Sequence, residues 1–383
     1  MNKKAPKCWN LVNFDSFFTV LPSKKYQVQK QEYLEKGLVP VVDQGQKLII
    51  GYTDHESKKF NKNKVIVFGD HTRNVKYIDF EFAVGADGTQ ILETKDGIDL
   101  KFGYYQLLNK KIPDTGYNRH FKYVKAEKYT IPPTLEEQQE IVQVLDTMSD
   151  IIRLREECIS HAQALIPALF QEMFGDINNN VTKSNIVRFR DCIELNPAKP
   201  NLKDNLNVTF LGMKDISENG QVDLSTIKMY EEVKKGFTNF ENEDVLLAKI
   251  TPCFENGKAA IVRNLINGYG FGSTEFYVLR PHRKLILPEY VYSIIKSHSF
   301  AEPGKYKMVG AAGQKRLPKE YVLNYKFPLP SIEMQERFAE KVREINSYIE
   351  EQQEELKNAK QMFQSLLHHA FTGELTRRAY GEN

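Results

Sequence analysis

Residues 133–174 read PTLEEQQEIVQVLDTMSDIIRLREECISHAQALIPALFQEMF, and residues 330–371 read PSIEMQERFAEKVREINSYIEEQQEELKNAKQMFQSLLHHAF. The second stretch answers the first at a constant offset of 197, with no gap. In the first, Ile141, Leu145, Met148, Ile152, Ile159, Ala162, Ile166, Leu169 and Met173 recur at spacings of three and four, and Arg155 interrupts them once. In the second, the stripe is Phe338, Val342, Ile345, Ile349, Leu356, Ala359, Phe363, Leu366 and Ala370, interrupted at the matching position by Gln352. An apolar seam of that period and length predicts a long amphipathic helix with a coiled-coil face. Two of them in one chain predict a pair of heads, each closed by its own helix and joined by a helical spacer.

The repeat extends beyond the helices. Val12, Phe14, Phe18, Pro22 and Lys24 match Val187, Phe189, Ile193, Pro197 and Lys199 at an offset of 175, whereas Gly116 and Arg119 match Gly313 and Arg316 at 197, so the second copy carries about 22 extra residues. Duplication followed by loop divergence accounts for this, and it divides the chain into a first head (residues 1–131), a first helix (132–176), a second head (177–329) and a second helix with its tail (330–383). Thr134 and Ser331 stand where N-caps belong; Glu137 completes a capping box after Thr134, and Met334 does not after Ser331. Gly175 reads as a C-cap, and Asn178 to Asn180 as a turn in the short linker to Ser184.

Each head reads as mixed α/β (α+β). Runs rich in β-formers, Lys64 to Phe68, Phe80 to Val84, Lys258 to Val262 and Glu275 to Leu279, are separated by Gly, Asn and Asp turns. A helix is expected after Pro288, which suits a first helical position. The composition, 41% hydrophobic and 27% charged, is that of a soluble globular protein. No apolar run approaches the roughly 18 residues of a membrane span, and residues 1–10 lack the apolar stretch of a signal peptide. The expectation is a cytoplasmic protein with no membrane partner. Cys8, Cys158, Cys192 and Cys253 form no ligand spacing, and reduced structural thiols are expected.

The net charge of +3 conceals a division. Residues 1–128 hold 22 Lys/Arg against 15 Asp/Glu, a balance of +7, and residues 177–330 hold 22 against 16, a balance of +6. The helical stretches are acidic: 2 basic against 8 acidic in residues 133–174, and 5 against 8 in residues 331–371. Two basic heads on an acidic spacer suit a polyanion held by the heads. Glu-rich helix surfaces arise equally from helix propensity and solubility.

A search for catalytic chemistry comes back empty. The chain has no GxGxxG or Walker loop, no HExxH, no GxSxG, and no Asn/Asp-Pro-Pro-aromatic motif of the kind amino-methyltransferases use; Asn196-Pro197-Ala198 lacks the second proline and the aromatic. Asp79 and Glu81 read as a solvated strand face, and His368 and His369 as surface or seam residues. The pattern is that of a binder, without a metal site or a cofactor of its own.

Two candidate binding regions stand out. Met308 to Arg316 places small residues before Gln314, Lys315 and Arg316; small residues let a backbone approach a phosphate, Gln suits adenine, and Arg or Lys suits guanine. The first head offers Tyr117, Asn118, Arg119 and His120 at the corresponding place, and donors at one position in both copies strengthen the reading. The second region joins Lys249 and Thr251 to Ser273 and Thr274, with His71, Thr72 and Arg73 and the stretch Gly85 to Gln90 as its first-head partner. These short polar side chains suit contacts to phosphates or base edges, and they suit turn capping equally.

With those residues in view, the chain resembles the specificity (S) subunits of type I restriction-modification systems. The resemblance is carried by Ile-Thr-Pro (250–252), Phe-Gly-Ser-Thr-Glu-Phe (271–276), Gly-Gln-Lys-Arg (313–316) and Pro-Leu-Pro-Ser-Ile-Glu-Met-Gln (328–335), by Tyr-Asn-Arg-His (117–120) and Ile-Pro-Pro-Thr-Leu-Glu-Glu-Gln (131–138), and by the ending Phe-Thr-Gly-Glu-Leu-Thr (371–376). It covers nearly the whole chain. It implies a non-catalytic subunit with two target recognition domains in tandem, each reading half of a bipartite site in double-stranded DNA, and an antiparallel coiled coil between them. The 33-residue seam from Ile141 to Met173 would be a ruler of about 50 Å, more than one turn of DNA. The resemblance further implies two docked methyltransferase subunits using S-adenosylmethionine, joined for cleavage by ATP-dependent restriction (translocase/nuclease) subunits; both cofactors would belong to those partners. The first head departs from the pattern, offering Asp70-His71-Thr72 in place of Ile-Thr-Pro, and Pro167 is expected to kink or end the first helix. In an antiparallel pair, Arg155 and Gln352 are expected to meet near the middle. A specificity subunit of a related defence complex and a two-headed protein scaffold are the alternative readings.

Overall fold

A computed structural model describes residues 9–85, 88–177, 185–311, 313–372 and 375. Cys8, the expected turn at Asn178 to Asn180, the linker as far as Ser184, part of the Gly85 to Gln90 stretch and most of the closing phrase after Thr372 lie outside the described residues. The chain forms two compact units, Met1–Glu156 with Gln353–Asn383, and Glu157–Gln352. The division falls inside the long helices: each unit is a head together with a half of each helix.

In chain order the first unit holds β1 (Asn10–Asn13), α1 (Phe14–Phe17), β2 (Phe18–Leu21), β3 (Val39–Val42), β4 (Gly51–Thr53), β5 (Lys59–Phe60), β6 (Val65–Gly69) and β7 (Val75–Ile78). It continues with β8 (Phe82–Val84), β9 (Thr89–Thr94), α2 (Leu100–Leu108), α3 (Phe121–Ala126), β10 (Lys128–Ile131) and the start of α4 (Leu135–Phe174). The second unit, after the end of α4, holds β11 (Ile186–Arg188), α5 (Phe189–Cys192), β12 (Ile193–Leu195), β13 (Asn207–Leu211), β14 (Ile227–Met229), α6 (Tyr230–Val233), β15 (Thr238–Glu241) and β16 (Val245–Ala248). There follow β17 (Ala259–Ile261), β18 (Tyr269–Gly272), β19 (Phe276–Pro281), α7 (Pro288–Lys296), α8 (His298–Lys307), α9 (Lys319–Asn324), β20 (Lys326–Pro328) and α10 (Ile332–Ala370), whose end returns to the first unit. The four expected β runs are β6, β8, β17 and β19, and the helix expected after Pro288 is α7.

The two heads have one topology. In the first, the sheets run β2-β9-β6-β7, β4-β3-β8-β5 and β1-β10; in the second they run β12-β19-β16-β17, β14-β13-β18-β15 and β11-β20. Both contain one parallel pair, β3 with β8 and β13 with β18. β6 (VIVFG) and β16 (VLLA) are buried along their whole length, as the sequence of an inner strand requires. Much of the extra length of the second head is α8. The offset between matching elements rises from 188 at Leu100 and Pro288 to 198 at Phe121 and Lys319, and the ten residues gained equal the length of α8.

Each core recruits both long helices. In the first unit Phe14, Phe17, Phe18, Phe102 and Tyr129 cluster with Ile141 and Leu145 of α4 and with Phe363, Leu367 and Ala370 of α10. In the second, Phe189, Phe300 and Phe327 cluster with Phe170 and Phe174 of α4 and Phe338 and Val342 of α10. In both, the beginning of one helix packs with the end of the other, so the pair is antiparallel. Ile141, Leu145, Ile159, Phe338, Val342 and Ile349 are buried, and Met148, Ile152, Arg155, Ile345, Gln352 and Leu356 are partly buried.

Arg155 forms an ion pair with Glu355 of α10, within one helical turn of Gln352, and Glu156 pairs with Lys360 at 2.7 Å. The expected end of the first helix at Pro167 is corrected. Pro167 does not end α4, which continues to Phe174. Proline removes one helical bond, to the Gln163 carbonyl; Phe170 and Phe174, packed against Tyr290 and Phe338 at 4.9–5.6 Å between ring centres, hold the continuation.

One residue ties each helix to its head. Thr134 and Ser331 cap their helices as expected, accepting from the amides of Glu137 (3.3 Å) and Met334 (3.4 Å). Four residues beyond each cap, Gln138 and Gln335 are buried. Gln138 accepts from the Asp99 amide (2.8 Å) and donates to the Gly97 carbonyl (3.1 Å). Gln335 accepts from the Leu287 amide (2.9 Å) and donates to the carbonyls of Leu285 and Pro330 (both 3.0 Å). Cys158, Cys192 and Cys253 are free thiols, and burial pushes Cys192 up to about 12. Among the described residues no helix is long and apolar enough to cross a membrane.

Candidate functional site

The two candidate regions of each head converge at one end of its inner strands. In the second unit the chain leaves β16 through Lys249, whose amide donates to the Glu275 carbonyl (2.9 Å) just before β19, while the Leu317 amide donates to the Lys249 carbonyl (2.8 Å). In the first unit the chain leaves β6 through Asp70, whose amide donates to the Gly88 carbonyl (2.7 Å) just before β9, while the His120 amide donates to the Asp70 carbonyl (2.8 Å). Strand registers place Ile91 opposite Val67 and Val278 opposite Leu246, so Asp70, Gly88 and His120 occupy the positions of Lys249, Glu275 and Leu317. Asp70-His71-Thr72 is therefore the counterpart of Lys249-Ile250-Thr251, a match that the residue types alone conceal.

In the second unit this frame holds the loop tightly. Thr251 Oγ1 accepts from the Lys315 amide and donates to the Gly313 carbonyl, both at 3.1 Å, and the Thr251 amide donates to the Lys315 carbonyl (3.0 Å). Gly313 has φ +84°, which suits glycine. Arg316 lies against Val309, its amide donating to the Val309 carbonyl at 2.8 Å. Its guanidinium grips Glu275 side-on, Nε at 3.0 Å from Oε2 and Nη2 at 2.8 Å from Oε1. The Arg316 hydrogen bonds hold the Glu275 carboxyl below its usual range. Lys249 Nζ stands 5.0 Å from the centre of the Tyr277 ring, and burial lowers its affinity for the proton, against the pull of Glu275. Ser273 Oγ accepts from the Glu275 amide (3.2 Å), a turn cap. Gln314, Lys315, Arg316 and Thr274 are exposed, and Thr251 and Ser273 are engaged in holding the frame.

The first unit presents different chemistry on that frame. Tyr117 is 90% exposed and lies parallel to His71, ring centres 4.7 Å apart and planes 8° apart. His71 Nδ1 faces the Asn118 carbonyl at 3.2 Å, and Gln44 anchors the turn, accepting from the His71 amide (3.0 Å) and from the Thr72 hydroxyl. Arg73 is turned aside to Asp114 (2.6 Å), whose carboxyl is held low first by the Gly116 amide and then by Arg73. Asn118 and Arg119 are exposed.

His120 is corrected as a contact residue. It is fully buried; its Nδ1 donates to the Asp70 carbonyl (3.0 Å) and its Nε2 accepts from the Thr115 amide (3.4 Å). It braces the loop from beneath, and the repeat itself held the signal, since its counterpart is the buried Leu317. Gln44, Glu275 and the clamps Gln138 and Gln335 were not singled out; the two clamps stand 197 apart in otherwise polar helix starts, and Gln44 carries no sequence signal of this kind.

Comparison with known proteins agrees with this duplicated architecture. The model of the type I restriction modification DNA specificity domain matches residues 6–162 and again residues 185–359. The specificity subunit of the type I restriction enzyme EcoAI of Escherichia coli is 42% identical over 146 residues, 38% of this chain and 25% of that protein. The EcoEI specificity subunit, also from Escherichia coli, is 40% identical over 146 residues, 38% of this chain and 24% of that protein. The aligned part is thus about a quarter of the length of these relatives. The crystal structure of a type I restriction-modification system S subunit from M. genitalium has the same fold, with a TM-score of 0.57 at 17% identity over 95% of this chain and 96% of that one. A chain solved in work on assembly and conformational transition of the type I R-M system gives 0.52 at 15% identity over 97% and 99%. Two matches to one domain model, spanning most of its length, place this chain in the type I restriction modification DNA specificity domain family.

Proposed function

We propose that this chain is the specificity subunit of a type I restriction-modification complex, in which each head reads one half of a bipartite site in double-stranded DNA. The observation that carries the reading is the duplicated frame: two heads of one topology, of charge +7 and +6 by residue count, offer different exposed donors, Gln314, Lys315 and Arg316 in one and Tyr117, Asn118 and Arg119 in the other, on the same backbone bonds. A constant frame with variable donors is what two half-sites of different sequence require, with phosphate contacts positioning and base contacts specifying. The chain is non-catalytic in this reading. The acidic, partly exposed faces of α4 and α10 dock two methyltransferase subunits, to which we assign S-adenosylmethionine, and restriction subunits using ATP join for cleavage.

The test is binding of a mixed-sequence duplex of about 40 base pairs to the full chain produced together with its methyltransferase subunit, across a salt series. Affinity that falls linearly on logarithmic axes as salt rises is expected for a complex neutralising several phosphates. A stable complex with no salt-sensitive affinity for DNA would instead favour a two-headed protein scaffold.

A further inference from the structure

We propose that Glu275 is a specificity-determining positioning residue, which fixes the Arg316 guanidinium so that its outer edge reads a guanine in the half-site served by the second unit. The inference rests on the DNA-reading function proposed above. Arg316 Nε donates to Oε2 (3.0 Å) and lies 3.2 Å from Oε1, and Nη2 donates to Oε1 at 2.8 Å. These bonds occupy the Nε/Nη2 edge of the fork and leave the Nη1/Nη2 edge, two parallel donors of the kind that O6 and N7 of guanine accept in the major groove. Arginine is the outer partner: its side chain is 46% exposed against 24% for Glu275.

The support beneath the pair is built from both sides. The Arg316 amide and carbonyl both bond Val309 (2.8 and 3.0 Å), the preceding Lys315 is tied to Thr251, and the Glu275 amide and carbonyl are held by Ser273 and Lys249. An exposed ion pair contributes little to stability. On a basic loop meeting a polyanion, a carboxylate also forfeits attraction. What it supplies is order: a long side chain whose rotamers are fixed before the ligand arrives loses less entropy on binding and tolerates fewer wrong partners. The first unit makes the contrast, because Gly88 stands at the position of Glu275 and Arg119 has no carboxylate partner among the described residues.

The experiment maps methylated adenine by long-read sequencing in cells producing the full chain with its methyltransferase subunit. The wild-type chain is expected to give a split motif containing a fixed guanine. Glu275→Gln is nearly isosteric but cannot accept two charge-assisted bonds. It should relax that one position, discrimination falling about tenfold, while the other half-site and the affinity for mixed-sequence duplex are kept or, with one negative charge gone, improved. Arg316→Lys, which leaves Glu275 in place but has no fork, should relax the same position. An unchanged motif in either variant, or loss of methylation at every site in place of relaxation at one, would overturn the proposal. A wild-type chain with no split motif would overturn the DNA-reading function itself, an outcome distinct from a wild-type motif that Glu275→Gln leaves intact.

Discussion

The loop beside β19 and the loop beside β9 hang on the same bonds and present opposite surfaces. Beside β19, Glu275 fixes Arg316, and Gln314 and Lys315 flank it; beside β9, Gly88 brings no carboxylate to that place, which Gln44 and His71 crowd, Arg73 is drawn off to Asp114, and the exposed Tyr117 stacks on His71. Beneath them the copies differ once more, a buried His120 in one and a buried Leu317 in the other. Positions that keep their bonds through duplication hold the frame, and positions that change chemistry while staying exposed are free to carry recognition. A single chain with two copies thus separates support from reading without any other sequence.

The comparison breaks first if the helix halves are not part of the heads. Phe170→Ala should cost about 3–5 kcal/mol, seen as an earlier denaturant transition of the second unit, because Phe170 fills a core with Phe174, Tyr290 and Phe338; an unmoved transition would mean that α4 only rests on that head. Next come the clamps. Gln335→Ala removes three hydrogen bonds to backbone groups and should cost about 3 kcal/mol, and Gln138→Ala removes two and should cost about 2, each in its own unit. Equal and negligible shifts would show that the shared glutamine is not a clamp.

Exchange of the bracing residues sharpens the contrast further. Leu317→His places an imidazole where no loop was shaped to receive it, and about 2 kcal/mol of destabilisation is expected. His120→Leu should cost only about 1 kcal/mol, since the Asp70 carbonyl keeps the residue-120 amide; the reverse order in thermal melts would contradict the asymmetry. The smallest effect is on pH. The Glu275 carboxyl lies below the ordinary 4.5 because of Arg316, so the pair's contribution is fully present above pH 4.5 and is lost as pH falls through the lower, folded value. A carboxyl titration followed by NMR should show a midpoint that returns upward in Arg316→Ala; a midpoint indifferent to that change would separate the two groups.

Much of this was legible in the sequence. The seam from Ile141 to Met173 and its copy gave the two helices, because a buried stripe repeats with helical period, and the two offsets gave the duplicated heads. Pro288 and the Thr134 and Ser331 caps gave helix starts through local geometry alone. Less legible were features set by tertiary packing. The ion pair of Arg155 with Glu355 depends on which side chains the packed helices bring together, and the apolar stripe does not name them. Pro167 is tolerated because the aromatic packing of Phe170 and Phe174 just beyond it outweighs one lost bond. At the site, exposed donors and turn caps share residue types, so Thr251 and Ser273 could be told from Gln314 only by their bonds, and the burial of His120 required setting it against Leu317.

The most direct measurement is a methylation map of cells producing the full chain and the methyltransferase subunit proposed as its partner, comparing the wild-type chain with Gln314→Ala/Arg316→Ala and with Asn118→Ala/Arg119→Ala. The account predicts a split motif in which the first pair of substitutions alters one half and the second pair alters only the other. A motif without two halves, or both halves changing together under either pair, would contradict it.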